Sequence, residues 1–97
     1  MKVEEISWHD SEIKKIQIEY GKLQLEVFND ALQKTIIIQC CGFVGLTDLW
    51  FIEEDTEIYD LIINKSQIAN KDFLDLNIIT NDRVCHIYCK DINILKN

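Results

Sequence analysis

The sequence predicts a mainly β domain, a single small antiparallel sandwich or open barrel of about six or seven strands. Three observations carry this reading. Isoleucine supplies 17 of the 97 residues, while alanine occurs only at Ala31 and Ala69. β-Branched side chains suit a pleated surface, whereas alanine is the best helix former. Apolar and polar residues alternate through several runs, and short polar turns separate them without a single proline. At 97 residues the chain is one domain over its whole length, 1–97, with one core.

Taken in order, Ile16, Ile18 and Tyr20 alternate with Lys15, Gln17 and Glu19. Leu23, Leu25 and Val27 then alternate with Gln24, Glu26 and Phe28. Two period-2 runs around Tyr20-Gly21-Lys22 form a β-hairpin with one wet face. Asn29 to Gln33 supplies a loop. Thr35 to Cys41 is apolar on both faces, which predicts a central strand covered on both sides. Between residues 46 and 63, Leu46, Leu49, Trp50, Ile58, Leu61 and Ile62 carry helical spacing, so one short helix is an alternative there. Charge all round at Glu53-Glu54-Asp55-Thr56-Glu57 argues instead for an acidic loop. That loop would separate Leu49–Ile52 from a strand at Ile58–Asn64. Polar Asn64 to Lys71 reads as a connection, Phe73 to Ile79 as a strand, and Thr80 to Arg83 as a turn. Val84 to Leu95 alternates again with a change of phase at Lys90-Asp91, which predicts a bulge or bend.

Charge excludes some functions. Seventeen acidic residues against 10 basic ones give a formal charge of −7. Nucleic-acid phosphates and anionic membranes both require clustered Lys and Arg, so neither is expected as a partner. The longest near-apolar run, Ile36 to Leu46, covers 11 residues, against about 20 for a membrane span. The start Met1-Lys2-Val3-Glu4-Glu5 lacks the apolar segment of a secretory signal. A cytoplasmic protein is expected.

Few residue groups suggest chemistry. Cys40, Cys41, Cys85 and Cys89 contain no C-x-x-C pair, the usual spacing of a structural zinc site. With His9 and His86 a metal site can be drawn, but buried apolar residues or free thiols are the expectation in this compartment. No metal and no cofactor are expected. Trp8-His9-Asp10-Ser11 has the residue types of a catalytic triad, yet such triads meet through space from separate segments. A turn is the better reading, with Asp10 and Ser11 side chains bonding nearby N–H groups and Trp8 covering the end of the core. Glu53, Glu54, Asp55 and Glu57 form the densest acidic run. It is either a solvated loop or a patch that steers a basic partner. Trp50-Phe51 beside it is either core or an interface anchor.

The string Trp8-His9-Asp10-Ser11-Glu12-Ile13, followed by Ile16-x-Ile18 and Leu23-x-Leu25-x-Val27, resembles the opening of a group of small bacterial proteins. These carry a W/F-H-D-S/A-x-I motif before a first hairpin, and the immunity protein 50 family of polymorphic toxin systems is among them. Ile36-x-Ile38, Gly42-Phe43-Val44 with Asp48-Leu49, and the ending Cys89-Lys90-Asp91-Ile92-Asn93-Ile94 are similar as well. The resemblance implies a β-rich domain that binds and blocks a toxin, and it carries over no catalytic residue.

The expected function is therefore a non-enzymatic binding domain for a basic protein partner, with Trp50, Phe51, Glu53, Glu54, Asp55 and Glu57 as the candidate surface. Two rivals stand beside it. One is a structural module that forms a homodimer through a sheet edge. The other is a small hydrolase in which His9 and Asp10 meet a cysteine or His86 in a pocket.

Overall fold

Nine strands build the computed structural model, which describes residues 6–47, 56–81 and 83–96. They are β1 (Ser11–Glu19), β2 (Lys22–Asn29), β3 (Lys34–Cys41), β4 (Gly45–Thr47), β5 (Thr56–Ile58), β6 (Asp60–Ile68), β7 (Lys71–Ile79), β8 (Val84–Cys89) and β9 (Asp91–Lys96). A five-stranded sheet runs β5-β1-β2-β3-β9 and a four-stranded sheet runs β4-β8-β7-β6. Every pairing is antiparallel. The sheets do not close into a barrel, so of the two expected architectures the sandwich is the one formed. Among the described residues there is no helix, and the described parts of 46–63 are strand except at Tyr59.

Among the described residues nine strands stand where six or seven were expected, because two long runs are each divided by one residue and Gly45–Thr47 adds β4. Residues 49–52, expected before the acidic loop, lie outside the described residues. Tyr59 separates β5 from β6, and Lys90 separates β8 from β9. At both points the chain leaves one sheet and enters the other. The change of phase expected at Lys90-Asp91 is thus a handover between layers.

Local chemistry explains the hairpins. Tyr20 and Gly21 adopt φ of 47° and 74° between Glu19 and its register partner Lys22. Two left-handed residues make a type I′ turn, whose twist matches that of the strands. Ala69 and Asn70, at φ 52° and 63°, close β6 onto β7 in the same way. Residues 64–71 are therefore mostly paired strand and turn, where a loose connection was expected. Their polarity misleads because Asn64, Lys65 and Gln67 are exposed, while Phe73 and Leu74, apolar side chains of this part of the hairpin, come from the partner strand. The turn after β7 is the expected one, with Thr80 N–H donating to Arg83 O at 2.9 Å.

The core lies between the layers. In β1 a bulge between Ile13 and Lys15 shifts the register. It reconciles buried Ser11 and Ile13 with Ile16, whose partner Leu25 also points inward. Ile36, Ile38 and Cys40 of β3 are fully buried, while Ile37, Gln39 and Cys41 are only half-buried. The expected cover on both faces is thus unequal, because a two-layer sandwich gives each strand one inner side. Each buried isoleucine or leucine contributes about 1.5–3 kcal/mol by leaving water.

Gly42 secures the handover at Lys90. Its φ is +67°, and a Cβ placed on it would lie 2.9 Å from both Cβ and Cγ of Lys90. Next to it, Lys90 N–H donates to Cys41 O at 2.9 Å. Gly42→Ala is expected to cost about 1–3 kcal/mol, from left-handed strain and a clash with a non-terminal part of a side chain. Gly45→Ala, with nothing within 4 Å of the new methyl, should change stability by no more than ~0.5 kcal/mol. Urea unfolding midpoints of the two variants provide the comparison.

Candidate functional site

The Trp8–Ser11 string forms one tight turn at the entry to β1. Ser11 N–H donates to Trp8 O at 3.0 Å, and Asp10, at φ 64°, donates its N–H to Ile58 O at 3.1 Å. Backbone groups close this turn, where bonds from the Asp10 and Ser11 side chains to nearby N–H groups were expected. Trp8 is 2% exposed and belongs to the core. Ser11 is fully buried, and its Oγ accepts from Asn29 Nδ2 at 3.2 Å. The same Nδ2 donates to Ser7 O at 2.9 Å, while Asn29 Oδ1 accepts from Leu32 N–H at 2.9 Å. Asn29 thereby ties the loop after β2 to the start of β1. Nothing in the sequence links Asn29 to Ser11, because their meeting depends on the register of the hairpin between them.

His9 and Asp10 face outward from this turn. The His9 ring stands edge-on to Tyr59, with centroids 4.9 Å apart and planes at 87°. Its Nε2 lies 3.6 Å from Asp10 Oδ1. Pairing of β1 with β5 sets Glu12 opposite Glu57. Asp10, Glu12 and Glu57 therefore share one edge of the five-stranded sheet, with Lys14 Nζ 2.7 Å from Glu12 Oε2. A cavity of about 230 Å3 opens there, lined by His9, Glu57, Ile58, Tyr59 and Asn81. Hydrogen bonding to Asp10, and then the Asp10 charge, hold the Glu57 carboxyl above its ordinary pKa. Glu57 thus keeps its proton more tightly folded than unfolded. The associated stability is present in acid and is lost as pH rises through the folded value.

Of the residues expected at a partner surface, Glu57 lies on this edge. Trp50, Phe51, Glu53, Glu54 and Asp55 lie outside the described residues. The hydrolase constellation is not brought together. No cysteine lines the His9 cavity, and neither does His86. Cys85 and Cys89 point into the core, whereas His86 sits half-buried on the outer side of the same strand. There its Nδ1 lies 3.0 and 3.1 Å from the two carboxylate oxygens of Asp75. Its ring stacks on Tyr88 at 6.0 Å and 6°. This Asp75–His86 pair is a polar feature that sequence reasoning missed, since it forms across the β7–β8 register. Among the described residues, no group of three or more His, Cys, Asp or Glu side chains is placed to hold a metal ion.

Fold and edge together define a small two-sheet antiparallel sandwich, with carboxylates and an exposed aromatic residue gathered at one end of β1. No protein-family model and no curated protein matches the chain.

Proposed function

We propose that this protein is a non-enzymatic binding domain that meets a basic protein partner through the β1–β5 edge. The supporting observation is the grouping of Asp10, Glu12 and Glu57 around Tyr59, which is 57% exposed and braced by His9. Like charges held together repel one another, so a cationic surface gains from meeting them. An aromatic side chain fixed by its neighbour loses little entropy as an anchor. Glu53, Glu54 and Asp55 directly precede β5 in the chain, and the proposal keeps them with Trp50 and Phe51 on the sequence alone, since all five lie outside the described residues. The resemblance in Trp8–Ile13 favours a toxin as the partner, in the manner of an immunity protein, acting in the cytoplasm.

The test is association with the protein product of a toxin-like reading frame adjacent to this gene. An Asp10→Lys, Glu57→Lys double variant should associate about tenfold more slowly at low salt. The difference should shrink as added salt shortens the Debye length. Equal association rates for both proteins at every salt concentration would remove this surface. A second reading, self-association, rests on β6, which among the described residues stands at the edge of its sheet for nine residues. Such an edge offers unpaired backbone groups to another copy. A strict monomer by sedimentation at high concentration would end that reading.

A further inference from the structure

We propose that Cys40 and Cys89 are a redox-active dithiol, which hydrogen peroxide converts into a disulfide joining the two sheets. The two cysteines come from opposite layers, β3 and β8, and both side chains are fully buried on inner faces. The handover at Lys90 holds them together. Lys90 N–H bonds to Cys41 O at 2.9 Å, and Cys40 pairs in register with Ile92, just beyond that point. β3 and β8 also touch directly, so both thiols enter the core beside the same crossing. A disulfide between them closes once the sulfurs approach to about 2.05 Å.

The other two cysteines are placed differently. Cys41 points to the outer face, where Asn93 Nδ2 lies 3.8 Å from its sulfur. Cys85 sits four residues before Cys89 on β8, opposite Ile78. Cys89 is fully buried, so peroxide, hardly larger than water, must pass its neighbours to reach it. Its register partner Leu74 and its chain neighbour Lys90 both line an open cavity of about 470 Å3, together with Lys65 and Phe73. The interaction between the two thiols also divides their roles. It holds the Cys40 thiol far above its ordinary pKa, with burial adding to the effect, and it eases ionisation of Cys89.

Cys89, as the thiolate, attacks one peroxide oxygen. The O–O bond breaks, hydroxide departs and takes up the proton released by Cys89, giving water and a sulfenic acid on Cys89. Cys40 sulfur then attacks the sulfenic sulfur. The S–O bond breaks, and the departing hydroxide takes the Cys40 proton to form a second water. Two thiols lose two electrons in total, and one peroxide gains them.

The test treats the full chain with hydrogen peroxide at neutral pH, then digests it without reduction. A peptide linking Cys40 to Cys89 is expected, with the intact mass lower by two hydrogens and two of the four thiols still titratable in denaturant. Cys41→Ser should leave that linkage unchanged. In Cys40→Ser the linkage cannot form, and a dimedone adduct should accumulate on Cys89 faster than in the wild type. The wild-type peptide map decides the question even if Cys40→Ser fails to fold. Four titratable thiols after treatment, or a linkage through Cys41 or Cys85, within or between chains, would overturn the proposal.

Discussion

Trp8→Ala is expected to lower the unfolding free energy by about 3–5 kcal/mol, the range for truncating a large buried aromatic side chain. A domain of this size holds only about 5–15 kcal/mol in total, so the variant should be poorly folded at physiological temperature. Trp8 is 2% exposed and packs within the main core cluster. Its alanine replacement leaves a cavity that the rigid turn behind it cannot collapse to fill. Guanidinium unfolding at 25 °C gives the measurement, with His9→Ala as the control. His9 is exposed and its loss should change stability by no more than ~0.5 kcal/mol. Equal midpoints for Trp8→Ala and the wild type would mean that the turn does not hold its indole in the core.

The second large effect is expected at Asn29. It is fully buried and donates to Ser7 O and Ser11 Oγ while accepting from Leu32 N–H. Asn29→Ala removes all three bonds at once and strands the buried Ser11 Oγ, while the other two partners belong to the exposed residues Ser7 and Leu32. An orphaned buried group costs about 1–3 kcal/mol, and the two part-buried bonds add less, so a total near ~3 kcal/mol is expected. Ser11→Ala should cost less, about 1 kcal/mol, because Asn29 keeps its other two partners. In the double variant the two costs should fail to add by ~0.5 kcal/mol or more, since the residues share a bond. Strict additivity in urea titrations would show that the Asn29–Ser11 bond carries no stability.

The fold class was legible because alternation is a local signal. Leu23, Leu25 and Val27 mark an inner face whatever lies opposite them, and Tyr20-Gly21 marks the turn that precedes them. The expected connection at 64–71 failed for a physical reason. Phe73 and Leu74, apolar residues of that hairpin, sit on the following strand, and its turn at Ala69-Asn70 lacks the glycine that usually signals left-handed residues. The sandwich topology was not legible either. Handovers at Tyr59 and Lys90 depend on which sheet each half of a strand joins, and no neighbouring residue reports that. At the candidate site, the string Trp8–Ser11 was visible, as was its reading as a turn. Tyr59 against His9, Asp10 against Glu57 and Asp75 against His86 all form through strand pairing or packing, which a single chain does not display.

The two handovers have a mechanical consequence. Because β5 runs into β6 and β8 runs into β9, two of the chain's passages between the layers span only a single residue. Neither sheet can peel away as an independent unit without bending a strand at Tyr59 or Lys90. Slow amide exchange should therefore be lost from both layers together, as one cooperative opening, rather than from one sheet ahead of the other.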